Sequence, residues 1–294
     1  MSVQPLVSVR TITYNHEKYI AQCLEGILMQ RTDFPFEAVI GEDCSTDRTR
    51  EIVLAYAKKY PDKLRVITSE ENVGVVQNAL RVQRACRGKY QAFCEGDDYW
   101  IDPLKLQKQV DLLEAHPDLT LCFHNVFVVR ETDFRVRLYV TFALKETLNF
   151  AEACPISIPT ASVMARSEIL ASLPQWRFDV WDPDTVLLLW CAHHGNLGYL
   201  NEIMSVYRRH PGSLTSSMRP LLAKRQADAL YAYQKFDQET LYQHTDIIQT
   251  VIEQKNEYFR RKRSGRWYYL LHPHKMIATL KKNYALIGNL KKRY

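Results

Sequence analysis

Short apolar runs alternate with helix-period stretches through the first 130 residues. Residues 6–12 and 36–41 read as strands. Between them lies a helix whose inward stripe is Ile20, Leu24, Ile27 and Leu28. The second strand leads into a helix with Ile52, Val53, Tyr56 and Ala57 on one face, and Ser45, Thr46 and Asp47 offer caps for its first turn. Residues 64–68 give a third strand, about 76–86 a third helix and 90–94 a fourth strand. Repeated βα units of this kind predict a parallel sheet covered by helices on both faces.

Past the fourth strand, Pro103 opens a helix carrying Leu106, Val110 and Leu113. Residues 121–129 read as a long strand, 136–142 as a weaker one, 161–165 as a short one and 204–208 as the last. The stretch 184–194 reads as a helix stopped by Gly195. From about residue 220 the pattern changes to long helical stretches rich in Tyr, Gln and Lys. A division follows: residues 1–215 as an α/β domain and 216–294 as a helical, basic extension.

Composition changes this picture little. Of 294 residues, 46% are apolar and 24% charged, as in an ordinary globular protein. No apolar run reaches the roughly 18 residues of a membrane span, and the first residues lack a signal-like stretch. Seven scattered cysteines without a CxxC pair point to reduced thiols and a cytoplasmic setting, not to a disulfide framework or a zinc site. Charge is more informative. Residues 255–294 hold twelve Lys or Arg against the single acid Glu257, whereas residues 1–254 hold 27 basic and 32 acidic residues. The tail interleaves its cations with Trp, Tyr and Leu. That suits the anionic inner face of a plasma membrane, or equally a solvated appendage or subunit contact. No nucleic-acid-binding fold accompanies it, so nucleic acid is not an expected partner.

In an open parallel sheet, ligands bind beyond the carboxyl ends of the strands. Thr13, Tyr14 and Asn15 follow the first strand, Glu42 and Asp43 the second, and Glu95, Asp97 and Asp98 the fourth. Clustered carboxylates repel one another and call for a cation. Hard oxygen donors favour Mg²⁺ or Mn²⁺, which keep positions open for phosphate oxygens. The plainer alternative for Gly96-Asp97-Asp98 is a polar turn satisfying its own backbone. Convergence of Asp43 from the neighbouring strand favours a binding site.

The stretches VSVRTITYNHEKYI, FEAVIGEDCSTDRTREIV, EENVGVVQNAL and CEGDDYWIDPLKLQKQVDLLE resemble family 2 glycosyltransferases, in order and spacing, over about residues 5–215. The resemblance implies the GT-A fold, a Rossmann-like, mostly parallel sheet flanked by helices. It implies inverting transfer of a sugar from a nucleoside diphosphate, here a UDP-sugar, to a hydroxyl of a bacterial surface polysaccharide or lipid-linked glycan. By the same resemblance Tyr14 packs on the base, with Thr13 and Asn15 in the nucleotide site. Asp43 reads the uracil imide, and Asp97 and Asp98 hold metal and diphosphate. Glu95 stands at the first position of the family's Asp-x-Asp-Asp form, and Ile12 where relatives often carry a small polar residue. The segment VYRRHPGSLTS resembles the family's Tyr-Arg-x-His stretch, which makes His210 a third metal ligand and Arg208 or Arg209 a diphosphate contact.

Inverting transfer also needs a carboxylate base beside the acceptor hydroxyl. DPDTVLLLWCAHHGNLGYL resembles the family's acceptor helix and puts Asp184 at the base position. Asp182-Pro183 fits an N-cap and first-turn pair, leaving Asp184 free to face the cleft. Two rival readings stand beside this one. A nucleotidyltransferase would want a Gly-rich, Lys- or Arg-bearing loop after the first strand, which TYNHEKYI does not offer. An inactive nucleotide-sugar-binding module would need Asp184 to be only structural.

Overall fold

The computed structural model describes residues 4–180, 182–213 and 222–271. In chain order the elements are β1 (Val7–Thr13), α1 (Ile20–Leu28), β2 (Phe36–Glu42), α2 (Thr49–Lys59), β3 (Leu64–Ile67), α3 (Gly74–Ala85) and β4 (Tyr90–Phe93). There follow β5 (Tyr99–Trp100), α4 (Lys105–Ala115), β6 (Leu119–Arg130), β7 (Arg135–Leu138), β8 (Thr147–Leu148) and α5 (Phe150–Ala153). The remainder comprises β9 (Met164–Arg166), α6 (Ser167–Ala171), α7 (Pro183–His194), β10 (Asn196–Arg209), α8 (Leu222–Glu239) and α9 (Thr245–Leu271). The strands form one sheet in the order β3-β2-β1-β4-β9-β6-β10-β5, with β7 on β6 and β8 on β10.

The β3-β2-β1-β4 portion is parallel throughout. β2 is buried at every position, as a central strand covered on both faces must be. α1 packs Ile20, Cys23, Leu24 and Ile27 into the same core. Before α2, whose N-cap position is Arg48, Asp47 accepts the Thr49 amide on Oδ1 at 2.9 Å.

The second half departs from the sequence pattern where tertiary contacts take over. β9 enters antiparallel between β4 and β6. Ala161 and Ser162, expected to begin that strand, instead lie in a 3₁₀ turn over Thr160–Ser162. β10 starts eight residues earlier than the apolar run 204–208 suggests. Its register on β6 shifts around Leu200–Ser205, and the exposed Asn201 and Glu202 lie in that irregularity, so their polarity hides a continuous strand. α7 ends at Gly195 as expected, but the glycine is extended. A Cβ there would lie 2.5 Å from the Asp118 carbonyl, so close packing against β6 fixes the residue.

Tyr233 and Phe236 of α8 and Ile248 and Val251 of α9 join α7 residues such as Leu188 in one buried cluster. The His193 Nδ1 and His244 Nε2 atoms meet at 2.9 Å across this contact. The expected boundary at 215 and most of the basic tail, residues 272–294, lie outside the described residues. No helix among those described is long and apolar enough to cross a membrane.

Candidate active site

The carboxyl ends of β1 and β4 and the end of β10 converge on one cluster. One ligand atom each from His16, Asp97 and His210 lie within 4.8 Å of one another. His210 Nε2 is 3.1 Å from Asp97 Oδ2. His16 Nδ1 stands 3.2 Å from the Thr13 hydroxyl, and its backbone amide donates to Thr49 Oγ1 at 2.7 Å. Gly96 permits this approach, since a Cβ there would lie 2.6 Å from Thr13 Oγ1 and 2.9 Å from His16 Nδ1. The Tyr19 ring tilts against His210 at 4.5 Å between centroids.

Electrostatics separates the acids. Burial pushes Asp97 upward, but the His210 hydrogen bond and the nearby His16 outweigh it and hold the carboxyl below its usual range. Burial lowers the His16 pKa despite Asp97, so its imidazole is neutral and able to bind a metal. Asp98 is buried and raised, first by desolvation and then by Asp97. Its Oδ1 accepts the Arg208 amide at 2.8 Å, and it lies outside the three-donor cluster. Glu95 is also raised, by burial first, and accepts the Thr160 hydroxyl at 3.0 Å on Oε2.

The remaining sequence-selected residues separate into braces and open groups. Tyr14 is 41% exposed at the mouth of β1, free to meet a flat ligand. Asn15 adopts φ 55°, a left-handed conformation that Asn tolerates, and its Oδ1 accepts the Thr46 amide at 2.8 Å. Asp43 is buried, taking the Val73 amide on Oδ1 at 2.9 Å and the Gly74 amide on Oδ2 at 3.0 Å. Glu42 is spent on Ser45 and Arg50. Arg208 is a staple: it donates to the Asp97 carbonyl and to Gln22, and its guanidinium lies 4.7 Å over Tyr19 and 4.8 Å over Tyr99. Arg209 projects from the opposite face of β10, and its buried Nε has no hydrogen-bond partner.

Asp184 opens the first turn of α7. Its side chain is exposed, and its pKa is pushed up to about 8 by desolvation from the surrounding protein, then by Asp182 and Glu95, with Arg10 opposing. Asp182 occupies the N-cap position as expected, but its carboxylate accepts the Thr185 hydroxyl at 3.0 Å and no backbone amide. His16 is the site residue that the sequence reading passed over. The polar triplet after β1 ended that reading at Asn15, although the histidine stands only one residue further on.

One sheet with a parallel β3-β2-β1-β4 portion, flanked by helices, is the arrangement of the GT-A fold, and solved structures share it. A Staphylococcus aureus TarS fragment (residues 1–349) in complex with UDP-GlcNAc superposes with a TM-score of 0.66 at 22% identity, covering 88% of this chain and 74% of that one. The mannosyltransferase PcManGT from Pyrobaculum calidifontis, in complex with GDP-Man and Mn²⁺, gives 0.60 at 18% identity over 99% of this chain and 87% of that one. The chain belongs to glycosyl transferase family 2, whose model matches residues 8–170. An uncharacterized protein of Mycobacterium tuberculosis is 41% identical over 205 residues, 69% of this chain and 59% of that protein. The putative teichuronic acid biosynthesis glycosyltransferase TuaG of Bacillus subtilis is 36% identical over 110 residues, 37% of this chain and 42% of that protein. The chain thus matches about three fifths of the mycobacterial relative's length.

Proposed function

We propose that the protein is an inverting glycosyltransferase that moves a sugar from a nucleoside diphosphate, a UDP-sugar in this reading, to an acceptor hydroxyl of a bacterial surface glycan. The observation that carries this reading is the meeting of His16, Asp97 and His210 at the strand ends of a family 2 chain. Two imidazoles and one carboxylate suit Mn²⁺ better than the all-oxygen set that Mg²⁺ prefers. Asp97, His210 and His16 would hold the ion. Asp98, through the Arg208 amide, would keep β10 and therefore His210 in register. When bound, the metal supplies charge neutralisation for the departing diphosphate.

The other roles belong to the chain's own side chains. Tyr14 stacks on the base, Asp43 accepts its imide proton, and Thr13 and Asn15 shape the loop beneath. Asp184 takes the proton of the acceptor hydroxyl as that oxygen bonds to the anomeric carbon. The bond from that carbon to the diphosphate breaks, and the nucleoside diphosphate leaves with the electron pair. Glu95 and Asp182 raise the basicity of Asp184, which strengthens it as a proton acceptor once ionised.

Calorimetry of UDP with Mn²⁺, with Mg²⁺ and with EDTA tests the site. Tight binding with Mn²⁺, weaker with Mg²⁺ and weakest with EDTA is expected. Equal affinity in all three would remove the metal from the reading. Release of UDP from UDP-sugars with and without a glycan acceptor separates transfer from mere binding.

A further inference from the structure

The two histidines of the three-donor cluster come from distant parts of the chain, one from the turn before α1 and one from just past β10. Tyr19 touches both. Its backbone amide donates to the His16 carbonyl at 2.9 Å, which fixes the turn that carries His16. Its ring lies 4.5 Å from the His210 imidazole, tilted by 43°, and meets the His16 ring edge-on at 6.3 Å. Both separations lie in the range where aromatic pairs attract.

Glu131, the residue after β6, closes a circuit from the other side. Its Oε2 accepts the Tyr19 hydroxyl at 2.8 Å, and its backbone amide donates at 3.0 Å to the carbonyl of Arg209, the residue before His210. Arg208 Nε stands 3.7 Å from Glu131 Oε1, and the same guanidinium lies 4.7 Å over the Tyr19 ring. The carboxylate therefore has a cation beside it and the phenol ring is covered. A chain of contacts thus runs from His16 through Tyr19 and Glu131 to His210, and neither Tyr19 nor Glu131 belongs to the three-donor cluster.

His210 Nε2 faces Asp97 at 3.1 Å. An ion taken at that nitrogen replaces the hydrogen bond, and the imidazole then depends on its surroundings for orientation. Tyr19 supplies the packing surface, and Glu131 fixes the tilt of the phenol. We infer that, within the metal-binding reading proposed above, Tyr19 and Glu131 are positioning residues that hold His16 and His210 at the spacing a divalent cation needs, without ligating it. The site is then braced from both halves of the sheet, since Tyr19 precedes α1 and Glu131 follows β6. A tyrosine that only began α1 would leave metal affinity indifferent to Glu131.

The first measurement is the Mn²⁺ affinity of the full-length protein in saturating UDP, read from the electron paramagnetic resonance signal of free Mn²⁺. Tyr19→Leu and Glu131→Ala should each weaken it by about tenfold or more, the scale on which partners that orient metal ligands act. Tyr19→Phe keeps the ring and should retain more affinity than Tyr19→Leu. Glu131→Gln still offers the phenol an acceptor and should recover most of what Glu131→Ala loses. UDP affinity in EDTA should be the same in the wild type and every variant. Wild-type Mn²⁺ affinity in both Tyr19→Leu and Glu131→Ala overturns the inference. So does a loss of metal-free UDP affinity in Tyr19→Leu, which would make Tyr19 a nucleotide contact. The second measurement needs no metal. The ring-proton resonances of His210, assigned with His210→Gln, carry the ring current of Tyr19 and should move in Tyr19→Leu and Glu131→Ala. If the unmodified protein fails to bind Mn²⁺ while these resonances move, the metal reading falls and the clamp stands. Unmoved resonances overturn the clamp on their own.

Discussion

The two halves of the sheet handle polar groups differently. In the β1–β4 half, the groups past each strand brace one another: Asn15 holds Thr46, Asp43 holds the start of α3, and Asp97 meets His210. In the β6–β10 half, Asp184 is open to solvent, and a pocket lined by residues such as Tyr139, Phe142 and Ile156 is largely apolar. The Arg209 guanidinium there lies over Tyr207, with no hydrogen-bond partner at its Nε. A preformed, braced site suits a constant ligand such as a nucleoside diphosphate. Open groups on a less regular scaffold suit an acceptor that completes the constellation on arrival. The donor half should therefore fail through lost binding, and the acceptor half through lost turnover.

The largest expected effect falls on the donor half. Asp97→Ala removes the carboxylate of the three-donor cluster and frees His210 from its partner. Loss of an outer-shell partner alone typically costs about 10–100-fold in metal affinity, and loss of a ligand should exceed that. Calorimetry should show Mn²⁺-dependent UDP binding abolished with an unchanged circular dichroism spectrum. His16→Ala should weaken it too. An unaffected His16 variant would leave that imidazole out of the metal site.

On the acceptor half, Asp184→Asn should depress transfer by about 10²–10⁴-fold while UDP–Mn²⁺ affinity stays near normal. The pH dependence gives a second handle. A base with a pKa near 8 is ionised only above that value, so transfer should rise with pH through about 8 and flatten beyond it. Stability moves the opposite way. A carboxyl whose folded-state pKa is raised favours the fold most below its unfolded value of about 4 and loses that contribution as pH rises to about 8. The Asn variant should therefore gain thermal stability on the wild type between pH 6 and 9. Glu95 and Asp182 press on the group and Arg10 relieves it, so Arg10→Gln should shift the pH–rate curve further alkaline. A flat profile from pH 6 to 9 would count against Asp184 as base.

Legibility in the sequence followed the same division. The βα units of the donor half were readable because each strand, helix and site residue lies within a few positions of the next. Boundaries there moved by one or two residues, as with β1 ending at Thr13. His210 stands 3.1 Å from Asp97, but no local pattern could reveal that His16, past the end of β1, would join them. The acceptor half resisted because its structure is set by distant contacts. Bulging residues Asn201 and Glu202 masked most of β10, and residues 160–162 turn because Trp100 Nε1 and Gln109 Nε2 bond the carbonyls of Ala161 and Ser162. β5 and β8 are two residues each, too short for any periodicity to register.

A third test asks whether the helical extension is separable from the acceptor half. Phe236 is fully buried and stacks near Phe150 and His244. Truncating it to Ala should cost about 3–5 kcal/mol in urea unfolding, the usual range for a core aromatic. If residues 216–294 are a dispensable unit, a 1–215 fragment should instead unfold with the midpoint of the full chain. The buried Tyr233, Phe236, Ile248 and Val251 predict that it will not.

The smallest effect is also the finest discrimination within the donor half. Asp43 is proposed to read the base, yet both its oxygens already accept amides from the start of α3. These duties are compatible at Oδ2, which takes the Gly74 amide and keeps a second lone pair for a base imide, whereas Oδ1 also faces the Ser69 hydroxyl and Arg81. Asp43→Asn separates them. The amide group turns a donor toward one of the two backbone N–H groups, leaving that bond unmade, and loses the acceptor for the imide. Each loss is of the order of 1–3 kcal/mol. UDP carries an N3–H that CDP lacks, so the wild type should prefer UDP and the Asn variant should bind the two more nearly alike. A lowered melting temperature with an intact preference for UDP would mean that Asp43 only anchors α3, and that base selectivity arises elsewhere on the loops after β1 and β2.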